Sequence, residues 1–124
     1  MKPIITDSAP AAIGPYSQAM IFEKLVFTSG QIPVDPTIGQ ISGETIEAQA
    51  EQSCKNVKAV LEAGGTTMDN VIKTTCFLAD MADFAKFNEI YSKYFTSKPA
   101  RSCVAARALP KGVLCEVEAI AYIE

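Results

Sequence analysis

Residues 113–123 read VLCEVEAIAYI, and the alternation of side chains along them predicts a β-strand with two unlike faces. The small, apolar face is suited to packing under helices and comprises Val113, Cys115, Val117, Ala119, Ala121 and Ile123. The other face mixes carboxylates with large apolar groups: Leu114, Glu116, Glu118, Ile120 and Tyr122. Because large apolar patches mark interaction surfaces, we expect this second face to line a cleft in an oligomer. The alternative is an ordinary half-polar sheet surface.

The rest of the chain predicts more strands and two helices, which together indicate an α+β fold. The β-favouring runs are residues 20–22 and 25–28, which form a hairpin, and residues 71–79 and 100–106. An apolar stripe of helical spacing over residues 45–63 predicts the first helix, and Gly64-Gly65 ends it. Asp80 is the expected N-cap of a second helix that Pro99 blocks from continuing. Loops are expected at residues 33–39 and 109–112.

Composition limits the classes of function open to this chain. Its 124 residues predict a single domain, 1–124. The net charge of −3, without a basic stripe, makes nucleic acid an unsuitable main partner. No apolar run spans a membrane and no export signal is present, so we expect a cytoplasmic protein.

The chain contains no histidine, which excludes a serine–histidine hydrolase, a cysteine–histidine protease and histidine-ligated metal sites. Its four cysteines form no C-x-x-C pair and are expected to be free thiols in a reducing compartment. Any chemistry must therefore use carboxylates, Tyr, Lys, Arg, Cys, backbone groups and bound water.

Arg101 is the sharpest candidate for binding a ligand. Alternation puts Arg101 and Cys103 on one sheet face, about 6–7 Å apart. A guanidinium on a strand can grip a carboxylate through two parallel hydrogen bonds. The alternative is a structural ion pair with Glu116 or Glu118. Cys103 lacks a base that would activate its thiol, so we expect packing rather than nucleophilic attack.

Four other segments offer polar groups for a site, each with a plain structural alternative. Glu116 shares its strand face with Glu118, and a carboxylate in a partly dry cleft can deprotonate water. The turn at residues 14–16 presents the phenol of Tyr16, and Ser29-Gly30 ends a strand where backbone amides can approach a ligand. Asn88 on the second helix is ambiguous, since mid-helix Asn is usually solvent-exposed.

Together these segments resemble the Rid family, the reactive intermediate/imine deaminases, and its RidA branch most of all. The matching runs are APAAIGPYSQ at 9–18, FTSGQIP at 27–33, PARSCV at 99–104, LPKG at 109–112 and EVEAIA at 116–121. The resemblance covers essentially the whole chain, with the order and spacing kept.

The resemblance implies a chorismate-mutase-like α+β fold, with a mixed sheet packed by two helices on one face. It implies a homotrimeric barrel with a ligand cleft at each subunit interface. The implied reaction is hydrolysis of 2-imino acids, such as 2-iminobutanoate and 2-iminopropanoate, to 2-oxo acids and ammonia, without a metal or organic cofactor.

The resemblance also implies a role for each matching residue. Arg101 holds the substrate carboxylate, and Glu116 orients or activates the attacking water. The remaining substrate contacts come from Tyr16, Ser29, Gly30, the Cys103 backbone and, as a weaker assignment, Asn88.

Two rival functions remain. One is a non-catalytic ligand-binding or regulatory protein that uses the same cleft, as in translation inhibition or chaperone-like activity. The other is a different small-acid enzyme on this fold, such as a chorismate mutase. That reaction requires groups for two carboxylates and an ether oxygen, and the sequence offers one convincing clamp.

Overall fold

The computed structural model describes all 124 residues, Met1–Glu124, as eight strands and two helices. The strands are β1 (Lys2–Ile4), β2 (Ala19–Phe22), β3 (Leu25–Thr28), β4 (Val34–Asp35), β5 (Gln40–Ile41), β6 (Val71–Leu78), β7 (Ala100–Ala105) and β8 (Cys115–Tyr122). The helices are α1 (Ile46–Ala63) and α2 (Phe84–Tyr94). The predicted α+β class is confirmed. Neither helix combines the length and the apolar character that crossing a membrane requires.

Six strands form one mixed sheet in the order β1-β2-β3-β8-β6-β7, so β8 lies in its middle. Strands β6 and β7 pair in parallel and every other neighbouring pair is antiparallel. Helix α2 connects the two parallel strands, as a parallel crossover requires. Strands β4 and β5 form a separate two-stranded ribbon.

The core lies between the sheet and the two helices. Val117, Ala119 and Ala121 of β8 are buried together with Val57 and Leu61 of α1. This confirms the predicted apolar face of the last strand and the predicted stripe of the first helix. The opposite face of β8 is half-buried, with Tyr122 exposed at its end. The large apolar side chains on the same side of neighbouring strands are also exposed: Phe22, Phe27 and Val104.

Most element boundaries agree with the sequence-based expectation. Thr45 caps α1 by accepting from the Ala48 amide at 3.2 Å, and Gly65 follows the helix with a positive φ of 87°. Asp80, the predicted N-cap of α2, instead caps a short 3₁₀ turn that precedes this helix, where its carboxylate accepts a hydrogen bond from the Ala82 amide. Strands β1, β4 and β5 were not predicted, because two or three residues carry too little periodicity.

The loop between β3 and α1 is held by polar side chains of that helix. Asn56 is 1% exposed and donates to the carbonyls of Ile32 (3.0 Å) and Val34 (2.9 Å). Gln49 donates to the Gly43 carbonyl and accepts from the Leu114 amide. These bonds tie both ends of the loop, and the start of β8, to one rigid helix.

We expect Asn56→Ala to lower the free energy of unfolding by about 2–3 kcal/mol, because the loop carbonyls lose their buried amide donor. Urea unfolding followed by circular dichroism measures the change. Lys55→Ala, at an exposed position of the same helix, is the matched control and should change stability little. Equal stabilities for the two variants would contradict this anchoring role.

Candidate functional site

Arg101 lies on the helix-covered side of β7, within a shell of side chains from α2. Its Nη1 donates to Oδ1 of Asn88 at 2.7 Å. Its guanidinium carbon lies 4.7 Å from the centroid of the Tyr91 ring and 5.5 Å from that of Phe84. These cation–π contacts and the hydrogen bond fix the plane of the fork, and they leave other N–H groups free to donate to a carboxylate.

Tyr91 is itself held in place by the sheet. Its hydroxyl shares a buried hydrogen bond of 2.7 Å with the hydroxyl of Thr74 on β6, and its ring stacks on Phe95 at 4.4 Å. Phe84 and Tyr91 were not among the candidate site residues predicted from the sequence. The missed signal is spacing, because Asn88 is four residues after Phe84 and three before Tyr91, on one helix face.

Cys103 follows Arg101 on the same face, as alternation predicted. It is partly buried, and its Cα partner on β6 is Cys76. Burial raises the pKa of the Cys103 thiol, and the nearby Arg101 charge lowers it by less. The thiol is therefore protonated at neutral pH and is poorly suited to act as a nucleophile.

Glu116 lies in a second cluster, in a cleft of about 470 Å³ on the open side of the sheet. The cleft is lined by Tyr16, Ser29, Gly30, Ile32, Pro110, Glu116 and Glu118. Burial raises the pKa of the Glu116 carboxyl, and the like charge of Glu118 raises it further. The result is a carboxylate that accepts a proton more readily than an ordinary glutamate.

Gly30 permits this position of Glu116. A Cβ at residue 30 would collide with the Glu116 carboxylate and lie 2.8 Å from its carboxyl carbon. The φ of Gly30 is not positive, so close approach explains the glycine and a left-handed backbone does not.

Ser29 and Tyr16 complete the walls of this cleft. The Ser29 hydroxyl donates to the Ser17 carbonyl at 2.5 Å, which attaches the end of β3 to the segment before β2. Tyr16 is 54% exposed, and its hydroxyl accepts from the Ile13 amide at 3.3 Å. As predicted, the turn at residues 14–16 presents the phenol at the surface.

A larger cavity of about 500 Å³ adjoins the cleft and shares Tyr16, Gly30 and Ile32 with it. Its walls are the N-terminal segment and the loop after β3, and neither Arg101 nor Glu116 lines it. Gln18 shapes the N-terminal wall by donating to the carbonyls of Thr6, Ala9 and Pro10. We assign the chemistry to the smaller cleft, because it holds the carboxylate with the raised pKa.

The two clusters lie on opposite faces of the sheet within one chain. Arg101 pairs in register with Thr74, which pairs with the buried Ala119 on the helix side. Glu116 pairs with Phe77, whose other partner is Val104 on the open side. The structure thus groups Arg101, Asn88 and Cys103 separately from Tyr16, Ser29, Gly30 and Glu116. The alternative of an Arg101 ion pair with Glu116 or Glu118 within the chain is wrong.

No group of three or more cysteine, aspartate or glutamate side chains is arranged to hold a metal ion. The two clusters offer anion recognition by Arg101 and proton acceptance by Glu116.

We expect Glu118→Gln to lower the pKa of Glu116, because the substitution removes the like charge beside it. Titration of the side-chain carboxyl carbons by NMR measures this. In the wild type, Glu116 should titrate at higher pH than an ordinary glutamate. Glu62→Gln, at an exposed position of α1, is the control and should leave that titration unchanged. A Glu116 pKa at or below the ordinary value in the wild type would contradict the described environment.

Comparison with known proteins places the chain in a family. The family model described as Endoribonuclease L-PSP matches residues 6–123. The chain is 51% identical over 124 residues to 2-iminobutanoate/2-iminopropanoate deaminase of Salmonella typhimurium, covering 97% of this chain and 96% of that protein.

Solved structures agree with this match over the full length of the chain. The crystal structure of E. coli TdcF with bound serine superposes with a TM-score of 0.95 at 45% identity and covers 100% of both chains. The Rid-family protein YyfA of Yersinia pestis gives a TM-score of 0.95 at 46% identity and covers 98% of both chains. The chain therefore belongs to the Rid family, whose members match the Endoribonuclease L-PSP model.

Proposed function

We propose that this protein hydrolyses small 2-imino acids to 2-oxo acids and ammonia at a site shared between two copies of the chain. The proposal rests on one observation: the oriented guanidinium of Arg101 and the proton-accepting carboxylate of Glu116 lie on opposite faces of one sheet, so that a single chain does not bring them together. Relatives of about 50% identity over the whole chain are named 2-iminobutanoate/2-iminopropanoate deaminase, which supports the reaction class.

Arg101 binds the substrate carboxylate in this proposal. A 2-imino acid carries its carboxylate next to the reacting carbon, so a bidentate grip on that group fixes the distance and direction of the C=N bond. Asn88 and Tyr91 hold the guanidinium before substrate arrives, so little ordering remains for the binding step. The serine bound in the structure of the relative TdcF is also a small molecule with such a carboxylate.

Glu116 supplies the base. The carbon of a protonated imine is electrophilic, so the attacking water requires a position and a proton acceptor rather than a strong activator. Water adds to that carbon and its proton passes to Glu116, giving a tetrahedral carbinolamine. Glu116 then returns the proton to the nitrogen. As the C–N bond breaks and the C=O bond forms, Glu116 accepts the hydroxyl proton and passes it to the departing ammonia, so that a 2-oxo acid and ammonium are released. A base of this kind contributes roughly 10²- to 10⁴-fold in rate.

Assembly of copies brings the two groups together. The open sheet face carries Phe22 (54% exposed), Val104 (48%), Phe27 (39%) and Tyr122 (39%), an apolar surface that a second copy can cover. A homotrimer closing these faces into a barrel is the arrangement we propose. Arg101 lies on β7, an edge strand of the sheet, so its side chain is near the boundary between copies.

Regulation by ligand binding without catalysis is the second candidate function. The relative TdcF was crystallised with serine, an amino acid rather than an imine, so binding alone has an observation in its favour. Both functions use Arg101. Only the deaminase requires Glu116 to accept a proton, so the glutamate variant separates them.

Arg101→Ala and Glu116→Gln should each lower the release of 2-oxo acid from 2-iminobutanoate, generated in place by threonine dehydratase, to near the spontaneous rate. Glu116→Gln should lower kcat by roughly 10²- to 10⁴-fold, because the proton acceptor is lost while the shape is kept. Exposed Arg107→Ala and Glu62→Gln are the matched controls and should retain full activity. A wild type that does not exceed the spontaneous rate would favour the binding protein.

Gly30→Ala tests the same carboxylate without altering it. The new methyl group collides with the flexible end of Glu116, so the fold should persist while the carboxylate is displaced from its position. We expect kcat to fall by roughly a hundredfold, as a misplaced catalytic group predicts. Circular dichroism and the melting temperature check that the fold of Gly30→Ala is kept. Unchanged kcat in Gly30→Ala, with the fold intact, would show that the position of Glu116 is not critical.

A further inference from the structure

The chain segment that continues from the end of β3 contains one residue more than the part of β8 that it runs beside, close to Glu116 and Glu118. The regular ladder between them ends with Phe27 opposite Ile120. Pairing resumes at Gln31 and Val117, which exchange backbone hydrogen bonds of 2.8 and 3.2 Å. Residues 28–30 therefore oppose only residues 118–119, and this is a β-bulge.

A single side chain fixes this bulge to β8. The hydroxyl Oγ1 of Thr28, which is 7% exposed, accepts a hydrogen bond from the Ala119 amide at 3.0 Å. On its other side Thr28 pairs with Ala19, and the Ser29 amide donates to the Gln18 carbonyl at 2.9 Å. The bulge thus bonds to β8 through a side chain and to the β2 side through backbone.

The bulge determines where Gly30 lies relative to the carboxylate of Glu116. Ser29 and Gly30 lie between the Thr28–Ala119 bond and the Gln31–Val117 pair, and Gly30 closely approaches the Glu116 side chain. Glu116 directly precedes Val117 on β8, so the same pairs that anchor the bulge also anchor the backbone of Glu116. Any slip of the bulge along β8 changes the separation of Gly30 and Ser29 from this carboxylate.

We propose that Thr28 is a positioning residue for Glu116, acting through the bulge and without touching substrate. This inference rests on the proposed imine hydrolysis. A valine at residue 28 has nearly the same shape but cannot accept from the Ala119 amide, so it leaves that buried donor unpaired. The bulge then loses one of its bonds to β8 between the flanking backbone pairs, and Glu116 is held less firmly in its position beside Gly30.

The experiment compares Thr28→Val, Thr28→Ser and Thr28→Cys with the wild type in the 2-iminobutanoate assay, well below each melting temperature. Thr28→Val should lower kcat by roughly ten- to a hundredfold, as a small misplacement of a catalytic group predicts. KM should change by less than about threefold, because Arg101 and the carboxylate grip are untouched. Thr28→Ser keeps the acceptor and should restore most of kcat, and Thr28→Cys, with a weakly accepting sulfur, should lie between them.

Several results would overturn the proposal. If Thr28→Val melts at lower temperature but keeps the wild-type kcat, Thr28 serves the fold alone. If Thr28→Val does not fold, Thr28→Cys decides in its place, and a wild-type kcat there has the same meaning. If the wild type itself has no activity in this assay, both the proposed function and this role of Thr28 are wrong. If the wild type is active, Glu116→Gln is inactive and the Thr28 variants all keep the wild-type kcat, the proposed function stands and only the role of Thr28 is wrong.

Discussion

Strand β8 lies in the middle of the sheet, and the opposite character of its two faces determines what each side of the molecule can be. Valine and alanine side chains on one face are small enough for α1 and α2 to pack directly on the sheet. Glu116 and Glu118 on the other face cannot be buried in a dry core without a large cost. The helices are therefore confined to one side, and the open side keeps a cleft in which a carboxylate is only partly removed from water.

The same two-sidedness separates the two functional groups. Because of the register across β6, Arg101 faces the helix side of the sheet and Glu116 faces the open side. The neighbouring residues on each side determine how each group behaves. A guanidinium on the helix side meets aromatic rings and an amide from α2, which orient it. On the open side, partial burial and the like charge of Glu118 raise the pKa of the Glu116 carboxyl and make it a readier proton acceptor, and Gly30 leaves room for it. In the proposed function, one chain thus contributes two half-sites, and a second copy completes each of them.

Sequence reasoning succeeded where one element carried the whole signal. The alternation of β8, the stripe and terminal glycines of α1, and the shared face of Arg101 and Cys103 are all properties of a single segment. It did not establish that Arg101 and Glu116 face opposite ways, because that depends on the relative register of β7, β6 and β8 along the chain. The contact of Asn88 with Arg101 likewise depends on how α2 packs beside β7. The glycine that ends the strand at residues 28–30 indicates a bulge or a turn as its structural alternative. The sequence alone cannot choose between the two, because the bulge depends on the register with β8.

The shared site is tested most directly by mixing two inactive proteins within one oligomer. Arg101→Ala and Glu116→Gln chains, carrying different tags, are co-expressed, and oligomers that contain both are purified through the two tags in turn. If each site takes Arg101 from one copy and Glu116 from the next, every mixed trimer has one intact site among its three and regains roughly a third of the wild-type activity. A site shared between two copies predicts that the mixed oligomers are active and that neither parent protein is. Mixed oligomers as inactive as their parents would contradict a site built from two copies.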